Sequence, residues 1–235
     1  MSYAKDKLNS SLEITEAVKK HGFCIIPNFI ASKKLNKLNK EFDTIIKRNY
    51  STGFYEHGCR EYMDVIAVSE DNLKQSPFTA QIDLMSTPLI QKITLNFFGV
   101  DDFFIQHIFN VKSTETPAHS NELPYSLHFD KIHMLKFFFF LSDIDEDCGP
   151  TWVVPQQQHK SLIKRKEWRE KGNPVQEINN IIHYHKDEVI PLTGAAGSLA
   201  ILDTDTPHKA GSLGQDKVRK IIRVSASSPS YSSKG

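Results

Sequence analysis

The chain has 235 residues, of which 39% are hydrophobic and 24% are charged, and its 29 basic and 28 acidic side chains leave a formal net charge of +1. This composition is typical of a folded globular protein and excludes a disordered chain. A charge so close to zero argues against a dedicated binder of nucleic acid or of an anionic membrane, so we expect neither as a partner.

Helical patterns dominate the first hundred residues. Capping residues and apolar spacing predict three helices, which begin near Ser10, Ser32 and Thr87. The first has the Ser-x-x-Glu spacing of a capping box, and a short strand over residues 23–26 is expected to separate it from the second. We predict that residues 1–100 form a mainly helical flanking region of a single domain that spans 1–235.

The pattern changes after residue 101, where short runs of strand-like composition alternate with turn signals. The predicted strands are 103–111, 134–141, 151–154, 188–192, 198–202 and 217–225. Many short strands with few helices between them favour an antiparallel sandwich or barrel, so we predict a β-core over 101–226 and a flexible tail over 227–235. The apolar run Phe137–Phe140 is expected to alternate between two buried faces.

Cysteine usage and the first residues of the chain bear on its location. The three cysteines lie far apart and form no Cys-x-x-Cys pair, so neither a zinc site nor a disulfide framework is expected. The first twenty residues lack the apolar stretch of a secretory signal, and the longest apolar run is too short to span a bilayer. We predict a cytoplasmic protein with no membrane association.

The segment with the most chemical information is Ser126-Leu127-His128-Phe129-Asp130. Alternate residues of a strand point to the same face, so His128 and Asp130 can converge while Phe129 enters the core. An imidazole beside a carboxylate provides two ligands of the facial triad that binds non-haem Fe(II). His208 follows a predicted strand and is the best candidate for the third ligand, and Arg219 can bind a carboxylate through two hydrogen bonds.

The surroundings of these residues carry a family resemblance. The run from His128 to Lys160 and the later segment Gly197–Gly211 resemble the phytanoyl-CoA dioxygenase family, which includes ectoine hydroxylase. The similarity extends over about residues 103–225. It implies a mainly β fold, with a double-stranded β-helix (a jelly-roll, cupin-like core) and flanking N-terminal α-helices. It also implies an enzyme that uses Fe(II), 2-oxoglutarate and O2 to hydroxylate a small molecule, with release of succinate and CO2.

The resemblance assigns roles to individual positions. The residues that match the iron ligands of the family are His128, Asp130 and His208, and Arg219 matches the arginine that binds the far carboxylate of 2-oxoglutarate. Gln106 and Asn110 resemble the Gln-x-x-x-Asn-x-Lys strand of ectoine hydroxylase, whose amides face the cosubstrate. Halogenating relatives have a small residue in place of the carboxylate, so Asp130 favours hydroxylation over halogenation.

The chain departs from the family pattern at three places outside the metal motifs. The usual Pro-Gly-Ser-His turn is one residue longer here, at Pro155–His159. Ala210 occupies a position where some members have a serine that helps to hold 2-oxoglutarate, and Phe138 aligns roughly where a tryptophan can occur. These departures bear on the cosubstrate pocket and leave the metal ligands unaffected.

Candidate substrate contacts come from aromatic residues near the expected mouth of the barrel. The loop from Gly53 to Met63 mixes aromatic side chains with an arginine, as a covering loop does. The predicted substrate residues are Phe54, Tyr55, Arg60, Tyr125 and Trp152.

Two alternative functions stay open at this point. The chain can be a noncatalytic jelly-roll protein that binds a small molecule, or a cupin-type metalloenzyme. The second alternative uses the cluster His183, His185 and Glu188, although its spacing departs from the usual cupin motif.

Overall fold

The structure is a computed structural model, and it describes residues 10–48, 54–56, 63–68, 78–105, 108–114, 127–130, 132–172, 184–185 and 188–229. Among these residues, no helix is both long enough and apolar enough to cross a membrane. The helices are α1 (Ser11–His21), α2 (Ser32–Arg48), α3 (Thr79–Met85), α4 (Pro88–Phe98) and α5 (Gln158–Glu170). The strands are β1 (Phe23–Ile26), β2 (Phe54–Glu56), β3 (Met63–Val68), β4 (Phe104–Ile105), β5 (Ile108–Ser113), β6 (Leu135–Phe140), β7 (Thr151–Val153), β8 (Ile190–Leu192), β9 (Leu199–Asp203), β10 (His208–Ala210) and β11 (Arg219–Ser227).

Two antiparallel sheets form the β-core. The larger sheet has the strand order β1-β9-β6-β11-β5-β3-β2, with β4 paired to β11, and the smaller sheet has the order β10-β7-β8. Apolar side chains of both sheets, among them Val153 and Leu192 from the smaller and Phe138 and Ile221 from the larger, pack into one buried cluster. This cluster fills the space between the sheets, which we call the barrel interior. The predicted mainly β, jelly-roll fold with flanking helices is confirmed.

Strand β6 separates two cores. Phe137 and Phe139 pack with the helices on one face of the larger sheet. Phe138 and Phe140 point to the opposite face, into the barrel interior. The expected alternation of this run is therefore confirmed, and the side to which a residue of β6 points follows from the parity of its number.

Helices α1 to α4 pack on the outer face of the larger sheet; α1 has the predicted capping box, whereas α2 begins at Ser32 itself, so Ala31 and not Ser32 precedes its first turn. The Ser10 hydroxyl accepts a hydrogen bond from the Glu13 amide at 3.2 Å, and the Glu13 carboxylate accepts one from the Ser10 amide at 3.0 Å. After α1 the chain turns through Gly22, whose φ of 88° favours glycine. This turn leads the chain directly from α1 into β1, which pairs with β9.

The flanking region contributes more strands than its sequence patterns predict. Only β1 was expected there, yet β3 also joins the larger sheet by pairing with β5. Val65 packs into the barrel interior, whereas Ile66 and Val68 pack against the helices. Because both faces of β3 are buried, the strand lacks the apolar–polar alternation that identifies a half-exposed strand. The tail predicted over 227–235 lies mostly outside the described residues, and β11 extends to Ser227.

Candidate metal centre

Backbone hydrogen bonds bring the two predicted metal-binding segments together. The His128 amide donates to the His208 carbonyl at 3.0 Å, and the His208 amide donates to the His128 carbonyl at 2.7 Å. The Asp130 amide donates to the Thr204 carbonyl at 3.1 Å. His208 opens β10 of the smaller sheet, and Thr204 follows β9 of the larger sheet. The site therefore lies where the two sheets meet.

The side chains of these segments converge on one point. Oδ1 of Asp130 lies 3.6 Å from Nε2 of His128 and 3.5 Å from Nε2 of His208. The potential ligand atoms of the three residues all lie within 4.8 Å of one another. Ligands at about 2.1 Å from an octahedral ion are roughly 3 Å apart when they are adjacent. The two distances from Asp130 Oδ1 exceed this spacing by about 0.5 Å, and a donor set of two imidazoles and one carboxylate fits Fe(II).

The protonation states suit metal binding as well. His208 Nδ1 lies 2.8 Å from the Thr206 carbonyl, so this nitrogen carries the hydrogen and Nε2 keeps its lone pair. Burial lowers the pKa of His208, which favours the neutral ring. Burial alone would raise the pKa of Asp130, but Lys136 and the two imidazoles hold it well below its usual value. The centre thus presents a neutral imidazole and an ionised carboxylate as ligands.

Lys136 is a neighbour of the centre that sequence reasoning missed. Its Nζ lies 2.5 Å from Oδ2 of Asp130, and only 12% of its side chain is exposed. The signal was present in the sequence, because Lys136 is a single charged residue at the start of an otherwise apolar strand. Lysine is seldom buried without a partner, and such a position indicates a nearby carboxylate.

Arg219, the predicted carboxylate-binding residue, is buried at the start of β11. It lines a small cavity in the barrel interior, together with Phe138, Phe140, Ile144, Thr151, Leu192, Ala200 and Ile221. Its guanidinium donates to the Gly149 carbonyl and, at 3.1 Å, to the Ser113 hydroxyl. Burial lowers the pKa of Arg219 to about 10, and its Nε has no hydrogen-bond partner among the described residues. A buried cation with a spare donor fits the far carboxylate of 2-oxoglutarate.

A second buried cluster supports the centre from outside and was also missed. His133 Nε2 lies 2.7 Å from Asp203 Oδ1, and Arg165 pairs with the Asp205 carboxylate. Arg165 also donates to the Asp130 carbonyl at 2.9 Å. The ligand atoms of His133, Asp203 and Asp205 are close enough to hold a second ion. However, the Asp203 carboxylate already pairs with His133 and the Asp205 carboxylate with Arg165; burial alone would lower the pKa of His133, but its hydrogen bond to Asp203 raises it.

Asn110 does not face the barrel interior, and our prediction for it is wrong. Its amide exchanges two hydrogen bonds with Gln81, at 2.8 and 3.1 Å, and both side chains are fully buried. Asn110 points to the helix side of β5 like Ile108, whereas Val111 points to the interior. Its predicted companion, Gln106, lies outside the described residues.

The structure describes the side chains of only some of the predicted substrate residues. Trp152 lies on the opposite face of β7 from Thr151 and Val153, which point into the interior. Trp152 is therefore turned away from the barrel interior, which contradicts our prediction for it. Phe54 and Tyr55 belong to β2, but their side chains are not among those described, and Arg60 and Tyr125 lie outside the described residues.

The alternative histidine cluster is only partly described. His185 and Glu188 are exposed, and the Glu188 carboxylate accepts a hydrogen bond from the His185 amide at 2.8 Å. His183 lies outside the described residues. In the described part of the cluster, the Glu188 carboxylate thus stabilises a local turn through its hydrogen bond to the His185 amide.

Comparisons with known proteins extend this picture. The sequence profile of the family described as phytanoyl-CoA dioxygenase (PhyH) matches residues 18–221, a span that includes His128, Asp130, His208 and Arg219. No curated protein shows significant sequence similarity to the chain.

Several solved structures have a similar fold at 15% sequence identity. The epimerase SnoN, solved in complex with Fe3+, alpha ketoglutarate and nogalamycin RO, aligns over 93% of this chain and 84% of its own, with a TM-score of 0.67. The carbocyclase SnoK from nogalamycin biosynthesis aligns over 97% and 88%, with a TM-score of 0.65. AviO1 from Streptomyces viridochromogenes Tue57 aligns over 97% of both chains, with a TM-score of 0.61.

Proposed function

We propose that this chain, which belongs to the phytanoyl-CoA dioxygenase family, hydroxylates a small organic molecule. The cofactors of an enzyme of this family are Fe(II), 2-oxoglutarate and O2. The observation that carries the proposal is the convergence of His128, Asp130 and His208 on one point, with all ligand atoms within 4.8 Å. Two imidazoles and one carboxylate leave part of the coordination sphere open, as a cosubstrate and O2 require.

The residues of the chain bind, orient and shield the reactants. His128 and His208 would hold the iron through Nε2, and Asp130 through Oδ1, the oxygen that faces both rings. When bound, the iron supplies the oxidative chemistry that cleaves an unactivated C–H bond. Arg219 would bind the far carboxylate of 2-oxoglutarate in the barrel interior, where the side chains around it are mostly apolar and exclude water.

A different oxidative outcome on the same centre is the second candidate. Two of the structural neighbours are described as an epimerase and a carbocyclase, and the epimerase was solved with nogalamycin RO, a small molecule. These names support a small-molecule substrate, and they also make stereochemical inversion or ring closure an alternative to hydroxylation. Asp130 itself favours hydroxylation over halogenation, because it fills the position that a halide would take.

Anaerobic binding of Fe(II) and 2-oxoglutarate tests the centre before any substrate is known. We expect a weak metal-to-ligand charge-transfer band in the wild-type protein. The band should disappear in Asp130→Ala and require more 2-oxoglutarate in Arg219→Met, whose side chain keeps its length without the charge. Lys217→Met, which removes an exposed cation, should behave like the wild type.

The absence of a band in wild-type protein loaded with iron would refute the proposal. The two alternatives then separate by metal content. If His183→Ala loses metal and His128→Ala retains it, the cupin-type site is correct, and if neither binds iron, a noncatalytic binding protein is favoured.

The reaction outcome needs a separate measurement. Candidate small molecules are screened for O2-dependent release of succinate, and the product is analysed after reaction under 18O2. Hydroxylation adds one labelled oxygen to the product, whereas inversion gives an unlabelled isomer of the substrate and ring closure an unlabelled product lighter by two hydrogens. An unlabelled product would therefore overturn hydroxylation while leaving the metal centre intact.

A further inference from the structure

The position of Lys136 is unusual for a charged side chain. It lies on β6, between β9 and β11 in the middle of the larger sheet, opposite Leu202 and Ser225. Its side chain has the parity of Phe138 and Phe140 and therefore points into the barrel interior. A lysine in such a place needs a partner that keeps it there, and that partner is Asp130.

The two oxygens of Asp130 have different neighbours. Oδ1 faces His128 and His208 at 3.6 and 3.5 Å, whereas Oδ2 lies 2.5 Å from Nζ of Lys136. The ammonium therefore occupies the side of the carboxylate that is turned away from the two rings. A carboxylate can bind a metal through one oxygen or through both, and here one of its oxygens already has a partner.

The charge of Lys136 works against simple cation binding. Its ammonium sits within contact of a metal ligand and repels any divalent ion held there. A centre built only for tight metal binding would have a neutral donor at this position. Besides its effect on the charge state of Asp130, Lys136 contacts one carboxylate oxygen and can therefore fix the orientation of the carboxylate.

We propose that Lys136 is a positioning residue that reserves Oδ2 of Asp130, so that the carboxylate binds iron through Oδ1 alone. Binding through both oxygens would fill one of the positions that 2-oxoglutarate requires for its keto oxygen and near carboxylate. Lys136 thus protects the cosubstrate site without touching the cosubstrate. This inference rests on the proposed function, and the experiment below separates the failure of one from the failure of the other.

The test compares Lys136→Met with wild type in two titrations, both made without O2. Fe(II) affinity is measured on the metal-free protein, and 2-oxoglutarate affinity is then measured on the Fe(II)-loaded protein by its charge-transfer band. We expect Lys136→Met to bind Fe(II) as tightly as wild type or more tightly, and to bind 2-oxoglutarate at least tenfold more weakly, which is about 1.4 kcal/mol. A purely structural role would lower both affinities together.

Two further variants complete the test. Lys220→Met removes the lysine of another lysine–aspartate pair on the same sheet, with Asp43 at 2.7 Å on the helix side, and should change neither affinity. Lys136→Gln keeps a hydrogen-bond donor without the charge, and it also serves if Lys136→Met does not fold. We expect Lys136→Gln to regain part of the lost 2-oxoglutarate affinity, because its side-chain amide can donate a hydrogen bond to Oδ2 without carrying a charge.

Each other outcome refutes a specific statement. If Lys136→Met binds 2-oxoglutarate like wild type, or loses Fe(II) and 2-oxoglutarate affinity together, Lys136 does not have the proposed role. If Lys136→Gln is as weak as Lys136→Met, the lysine acts through its charge on the cosubstrate, and the inference is wrong. If wild type itself binds no Fe(II), the proposed function fails, and the inference fails with it.

Discussion

Arg165 joins the two segments that carry the candidate metal ligands, and its removal tests how much this contact stabilises the protein. The residue is 3% exposed, pairs with Asp205, which is 1% exposed, and donates to the Asp130 carbonyl. Arg165→Met leaves the Asp205 carboxylate buried beside His133 alone. Removing one partner of a buried ion pair costs about 3–5 kcal/mol. In a domain of this size, about 1 kcal/mol lowers Tm by roughly 2–4 °C, so the expected fall is about 6–20 °C.

We expect the fall in Tm to lie in the lower half of this range. Burial already raises the pKa of Asp205, so in Arg165→Met the unpaired Asp205 carboxylate can take up a proton and lose its charge. Thermal unfolding of the metal-free protein, followed by circular dichroism, measures the effect. Arg165→Met combined with Asp205→Asn should recover most of the loss, because no charge is left unpaired. Lys217→Met, which breaks an exposed pair with Asp145, should unfold close to wild type. A fall in Arg165→Met no larger than in this control would refute the reasoning.

Three further predictions follow from single contacts. Burial alone would lower the pKa of His133, but Asp203 raises it, so the stability that His133 contributes is present below pH 6.5 and is lost as pH rises through its folded-state pKa. The Tm difference between wild type and His133→Gln should therefore shrink with rising pH, and a constant difference would contradict this. Gly22→Ala should lower Tm more than Gly99→Ala, because both glycines have positive φ but only a Cβ at Gly22 would collide with the Thr206 side chain. Equal losses of Tm would contradict this close approach. Asn110→Leu leaves the buried Gln81 amide unpaired and should lower the free energy of unfolding by about 1–3 kcal/mol, with unchanged 2-oxoglutarate affinity. A weakened affinity would contradict the conclusion that Asn110 faces away from the cosubstrate.

The sequence predicted those parts of the site that depend on local geometry. His128 and Asp130 are two residues apart in an extended segment, so their convergence follows from the backbone alone. Asn110 shows where this reasoning ends, because alternation tells which residues share a face but not which face is the interior. Both faces of β5 are buried, with Ile108 on one side and Val111 on the other, so no polar pattern distinguishes them.

The residues that support the site were missed because their partners are distant in the chain. His133 showed no partner in sequence, yet it meets Asp203 once β6 and β9 have paired. Arg165 comes from α5, and no local pattern predicts that this helix lies beside the segment that contains His128 and Asp130. Lys136 is different, since a lone lysine in an apolar strand was visible in the sequence and only its partner was not.

The pairing of His128 with His208 has a consequence for the life of the protein in a cell. The two residues come from distant parts of the chain and meet only when both sheets have formed. An ion held between them acts as a reversible cross-link that the unfolded chain cannot make. Ligands that bind only the native state stabilise it by about 2.7 kcal/mol at a concentration one hundred times their Kd. Iron supply would then set the abundance of the protein as well as its catalytic rate, because proteases remove the unfolded fraction continuously.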